Sequence, residues 1–191
     1  MADRVYCYPD SEVLMNKLGI RDMNKLHSFE RRLTMLRLSE LLDKPIVGQF
    51  NLEHLQRIHK YIFQDVYEWA GQIRTVDIAK GNMFCNVKFI KPQAEVIFGN
   101  LEKENYLTGL EEDVFVKRLA YYFAEINALH PFLEGNGRSQ REFIRALALY
   151  NGYIISFAKI GTEDMLKASR DSFLCDYREM ERIFSICICK R

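Results

Sequence analysis

A chain of 191 residues, 48% hydrophobic and 13% aromatic, falls in the single-domain range and carries enough apolar material for one sizeable core. Its 27 Lys+Arg offset 26 Asp+Glu to leave a net charge of +1, which excludes a whole-molecule field for nucleic acid, anionic lipid or acidic partners, so any phosphate affinity is local. The opening Met1–Tyr6 lacks an apolar leader, no apolar run is long enough to span a bilayer, and five cysteines without a C-x-x-C pair suggest neither a disulfide framework nor a zinc site; a cytoplasmic protein without membrane contact is expected.

Taken in order, the first amphipathic segment opens at Asp22, a plausible N-cap, with Leu26, Phe29, Leu33 and Leu36 on one face. Asn51 opens a second, with Leu55, Ile58, Ile62 and Val66. Polarity then alternates through Arg74–Ile78 and again through Asn86–Ile90, around Lys80-Gly81-Asn82, which predicts a small β-hairpin that must pack on helices or await a partner strand. Pro92 suits the first turn of a third helix carrying Val96, Ile97 and Leu101, and a fourth runs from about Val114 to Leu129 with Phe115, Leu119, Tyr122, Phe123 and Ile126 inward. Phe143, Ile144, Leu147 and Ala148 mark a fifth, starting near Gly137 or Arg138 and ending before Asn151-Gly152. Thr162 can cap a sixth, and Tyr177, Met180, Ile183 and Phe184 give a seventh its buried face. No repeat, low-complexity tract or linker interrupts this order, so one domain over 1–191 is expected, with its core at about 50–150.

Between the fourth and fifth helices lies His130-Pro131-Phe132-Leu133-Glu134-Gly135-Asn136-Gly137-Arg138-Ser139-Gln140-Arg141. Counting about 1 in 20 per fixed position, a chance match to H-x-F-x-[DE]-G-N-G-R-x-x-R falls below roughly one in a million. Helix, glycine-bearing turn, helix is an anion-binding arrangement: free N–H groups of the second helix and its dipole both favour negative charge. Gly135 and Gly137 allow close backbone approach and positive φ on either side of Asn136. Arg138 and Arg141, three apart, can clamp neighbouring phosphates. Glu134 beside a polyphosphate is best reconciled with it by Mg²⁺, and His130 can accept a proton from an attacking hydroxyl. Phe132 is expected to turn inward and anchor the loop. His27, His54 and His59 have no partner motif and read as structural or surface residues.

The stretch is similar to the signature of the Fic family of AMP-transferring enzymes, and Tyr8…Asn16-x-x-Gly19-Ile20, Tyr67–Arg74 and the hairpin resemble its bacterial members, so the resemblance spans nearly the whole chain. It implies an all-α Fic-type helical bundle with a β-hairpin flap. It further implies that His130 deprotonates a Ser, Thr or Tyr hydroxyl of a target protein, which attacks the α-phosphate of ATP and releases pyrophosphate. Glu134 then corresponds to the Mg²⁺ ligand, Gly135, Asn136 and Gly137 to the anion hole, and Arg138 and Arg141 to contacts with the β- and γ-phosphates. The flap, here Lys80, Gly81, Asn82, Met83, Phe84, Cys85 and Asn86, would register the target by strand addition. Branches that transfer a terminal phosphate resemble this pattern but carry lysine at the place of Gly137, which favours AMP transfer; the signature leaves phosphocholine and uridylyl transfer open. The rival reading is a catalytically silent nucleotide-binding or interaction module, against which the intact His130 and arginines argue. Direct nucleic-acid binding has only scattered basic residues behind it.

Many members carry an inhibitory [ST]-x-x-x-E-[GN] helix. Only Thr108 has a glutamate four residues on, Glu112, and Asp113 follows it. The resemblance therefore implies a toxin-like enzyme restrained by a separate small antitoxin that brings the helix; a diverged internal helix is the alternative.

Overall fold

The computed structural model describes residues 4–80 and 82–191. Side-chain caps start the first two helices: Asp22 accepts the Lys25 N–H at 2.8 Å ahead of α1 (Met23–Asp43), and Asn51 accepts the His54 N–H at 2.9 Å ahead of α2 (Leu52–Phe63). Helix α3 (Ile90–Lys103) holds Pro92 in its first turn, where the missing N–H costs nothing. Then follow α4 (Glu112–Leu129), α5 (Asn136–Tyr150), α6 (Thr162–Ser172) and α7 (Arg178–Cys187). Helix α5 packs against α2 and α4, α4 also against α3 and α7, α1 against α2, and α6 against α7. Their apolar faces meet in one cluster in which Phe63, Phe115, Phe132, Phe143 and Phe184 are fully buried. The fold is mostly helical, as the periodicity predicts, and among the described residues no helix is long and apolar enough to cross a membrane.

Several expectations are corrected. On α1 the inward face is rotated: Phe29 and Leu36 are exposed, Leu26 and Leu41 join the core, and Glu30 and Thr34 are buried between them because they meet Arg138 of α5. Val96 of α3 is exposed, and Gly161 rather than Thr162 stands at the N-cap of α6. The hairpin is shorter than the alternation suggests, with only β1 (Ala79–Lys80) paired antiparallel to β2 (Asn82–Met83). Arg74–Ile78 is irregular and Val87–Phe89 is a 3₁₀ turn leading into α3. The polar groups of these limbs go to side chains instead of a ladder: Asp77 accepts the Val87 N–H at 2.8 Å and the Asn86 carboxamide at 2.7 Å, and Arg74 takes main-chain carbonyls. A second sheet was not foreseen. β3 (Tyr153–Ile155) pairs antiparallel with β4 (Ile188–Lys190), Tyr153 opposite Lys190 and Ile155 opposite Ile188, and three-residue strands are too short for a readable period.

Candidate active site

The motif forms the turn between α4 and α5. α4 ends with His130 itself in the left-handed region, φ 44° and ψ 61°, its N–H still donating to the Ile126 carbonyl at 3.1 Å. Phe132 is fully buried, its ring 3.9 Å from that of His59, and Gly135 opens α5 at φ 81°. No other residue fits at Gly135, since a Cβ would lie 2.1 Å from the Phe63 ring. Gly137, in contrast to the sequence expectation, has ordinary helical φ; what its missing side chain leaves is room beside Arg141, whose Nη1 is 3.3 Å from where a Cβ would stand.

Asn136 is buried and its carboxamide closes the turn, accepting the Phe132 N–H at 2.9 Å and donating to the Phe132 carbonyl at 2.7 Å. Its side chain is thus spent on the loop, and only main-chain N–H groups at the start of α5 remain for an anion. His59 supports the same loop from α2. Gly71 donates its N–H to His59 Nδ1 at 2.8 Å, so Nε2 carries the proton and donates to the Glu134 carbonyl at 2.9 Å. Full burial holds this imidazole neutral and pushes its pKa down to about 4.

Glu134, Arg138 and Arg141 meet in one open cavity of about 570 Å³, closed on its other side by α1 with Glu30 and by Tyr67. The Glu134 carboxylate accepts the Gly135 N–H at 2.9 Å and lies 4.0 Å from Arg138. Arg138 is already matched: it donates to Glu30 at 2.6 Å and to the Thr34 hydroxyl at 3.1 Å, with its guanidinium 4.6 Å over the Phe63 ring. Glu30 in turn accepts the Tyr67 hydroxyl. No carboxylate among the described residues pairs with Arg141, whose pKa is lowered by burial and then by Arg138. Two cations, one of them desolvated and without a counter-charge among the described residues, lie at the N-terminus of a helix, an arrangement that can seat a polyvalent anion. Among the described residues no cluster of His, Cys, Asp and Glu could hold a metal by itself. A single carboxylate fits Mg²⁺ arriving on a polyphosphate, with phosphate and water oxygens completing its shell.

His130 does not line that cavity. Its ring lies under the flap, stacked 3.6 Å from Phe84 at 17°, with Nδ1 3.1 Å from the Asn127 carbonyl. If Nδ1 donates there, Nε2 is the basic nitrogen. Met83 is exposed, Phe84, Cys85 and Asn86 are half-buried, Lys80 and Asn82 are described through their main chain only, and Gly81 lies outside the described residues. Four residues at the site have no part in the motif: Glu30, Thr34, Arg74 and His59, the last expected to be structural or surface and found structural. Glu30 and Thr34 occupy core-facing positions at four-residue steps from Leu26, a polar break in an apolar row that could have been noticed. His59 likewise sits on the stripe of Leu55 and Ile62. Arg74 closes the Tyr67–Arg74 segment that resembles bacterial family members, but nothing in its local pattern marks it for burial at 2% exposure.

A histidine at the end of one helix, two arginines at the start of the next and a short hairpin stacked on the histidine come together on a helical bundle. The chain belongs to the Fic/DOC family, whose model matches residues 49–148. It is 39% identical to "Probable protein adenylyltransferase Fic" of Escherichia coli K12 over 94% of this chain and 90% of that protein. It is 43% identical to the protein adenylyltransferase VbhT of Bartonella schoenbuchensis, over 88% of this chain but 35% of that longer protein. Among solved structures, the N-terminal Fic domain of a VirB-translocated Bep effector of Bartonella quintana, with bound ADP, superposes with a TM-score of 0.95 at 26% identity, over 100% of this chain and 97% of that one.

Proposed function

We propose that this chain is a single Fic domain acting in the cytoplasm as a protein adenylyltransferase, moving AMP from Mg-ATP to a Ser, Thr or Tyr hydroxyl of a target protein. The observation that carries the reading is Arg141: a desolvated guanidinium that pairs with no carboxylate among the described residues, beside Arg138 and the start of α5. In this reading the β- and γ-phosphates rest on Arg141, Arg138 and the N–H groups of Asn136 and Gly137. Glu134 would hold Mg²⁺, which would neutralise phosphate charge. His130 Nε2 takes the hydroxyl proton, the hydroxyl oxygen bonds to the α-phosphorus, and the bond to the bridging oxygen breaks to release pyrophosphate. Gly137 supports this orientation of ATP, because a side chain there would press on Arg141.

The test is incubation with lysate and ATP labelled at the α- or γ-phosphate, with His130→Ala as control. Protein label from the α position alone, lost in the variant, is expected; γ label would overturn the reaction assigned.

Restraint by a separate small antitoxin is part of the same proposal. The intrachain glutamate that reaches the motif is Glu30, and it engages Arg138. Glu112 stands at the opposite end of α4, about 25 Å along the axis, and pairs with Lys190 at 3.7 Å. Growth arrest on expression of the chain alone, relieved by co-expression of the partner, is expected; harmless expression of an enzyme active in the labelling assay would overturn it.

A further inference from the structure

Arg74 is among the largest fully buried side chains, and its guanidinium lies among main-chain carbonyls of three different segments. Nε donates to the His130 carbonyl at 2.9 Å, Nη1 to the Val76 carbonyl at 2.7 Å, and Nη2 to the Cys85 carbonyl. Its own N–H donates to the Pro131 carbonyl at 2.9 Å, and among the described residues the carboxylate that pairs with it is exposed Asp77, 3.7 Å away. Burial lowers its pKa, so the desolvation of this cation is a cost that its carbonyl contacts must offset.

The three carbonyls belong to the α4–α5 turn at His130 and to the two limbs of the flap, at Val76 and Cys85. Cys85 also donates its N–H to the Ala128 carbonyl at 3.0 Å, and its neighbour Phe84 lies flat on the His130 ring. The imidazole is therefore held through Arg74 twice: at its main chain directly, and at its ring face through Cys85 and Phe84. The motif's other supports, Asn136 and His59, act further along the turn at Phe132 and Glu134, while α4 holds His130 from behind through the Ile126 and Asn127 carbonyls; Arg74 is the link from His130 to the flap.

We propose that Arg74 is a positioning residue that locks the catalytic base to the target-docking flap, so that the ring of His130 and the flap limb bearing Phe84 keep one relative geometry. This rests on the adenylyl-transfer reading for its consequence, though not for its geometry. A planar fork is required, because a lysine ammonium cannot address carbonyls of three segments in one plane.

The test is the ring-proton NMR spectrum of the full chain, with the His130 signals assigned by their loss in His130→Gln. Stacking on Phe84 shifts them upfield in the native protein. In Arg74→Lys and Arg74→Gln this upfield shift should be lost, while the signals of buried His54 and His59, packed on Phe143 and Phe132, stay in place. In the labelling assay the α-phosphate rate should fall on the order of 100-fold, with ATP affinity and site number unchanged. A His130 shift unchanged in both variants overturns the proposal, and so does collapse of all three histidine environments together, which would make Arg74 a core residue only. A native protein that transfers no label, with the His130 shift still dependent on Arg74, would overturn the reaction and leave the positioning role standing.

Discussion

His59 makes the stability of the motif loop depend on acid in a way that can be calculated. In the fold its imidazole is neutral, accepting from Gly71 and donating to the Glu134 carbonyl, and a second proton on Nδ1 would face the Gly71 N–H. An ordinary histidine titrates near 6.5, this one near 4. Between those values the unfolded chain binds a proton that the native chain refuses, so stability rises with pH across the window, is complete above about 6.5 and is lost on acidification toward about 4. At about 1.4 kcal/mol per pH unit the gap amounts to about 3 kcal/mol. His59→Gln can keep one acceptor and one donor but cannot titrate. Urea unfolding of both proteins from pH 7.5 to 4 should show the difference between their stabilities change by about 3 kcal/mol, the native protein losing more. His54, buried and also held neutral, contributes to both curves and cancels. Parallel curves for the two proteins would refute the buried neutral tautomer.

Three substitutions probe other parts of the site. Arg141→Ala should slow α-label transfer about 100-fold at a preorganised anion seat, and more than Arg138→Ala, whose charge Glu30 already meets; equal losses would count against that division of labour. Gly135→Ala forces a Cβ into the Phe63 ring at positive φ, so a loss of about 3 kcal/mol or more is expected, lowering the thermal midpoint by roughly 6–12 °C; a change under 2 °C would show that the turn gives way. Asn136→Ala leaves the Phe132 N–H and carbonyl unsatisfied in the interior, a cost of about 3 kcal/mol by denaturant titration, and a loss below 1 kcal/mol would mean the turn closes without the clamp.

Much of the fold was legible because helical period and caps are local. Asp22 and Asn51 cap as their chemistry demands, and the stripes of α2, α4, α5 and α7 fall inward where the spacing predicts. The family too was written in the chain, since twelve consecutive residues carry its signature. The exceptions lie where side chains take over a role that the pattern assigns to the backbone. Alternation in Arg74–Ile78 and Asn86–Ile90 reads as ladder, yet Asp77 and Arg74 satisfy those groups and only Ala79–Lys80 and Asn82–Met83 pair.

The sequence by itself determined which groups gather at the α4–α5 turn, because His130, Glu134, Arg138 and Arg141 are fixed by helix geometry and by a short loop. It could not decide which of them are already engaged. That Glu30, more than a hundred residues away in the chain, meets Arg138 while Arg141 pairs with no carboxylate among the described residues, that Asn136 spends its amide on Phe132, and that Arg74 ties His130 to Cys85 all depend on which segments pack together. Long-range hydrogen bonds leave no period in the chain, and burial turns an ordinary arginine or histidine into a support for the site.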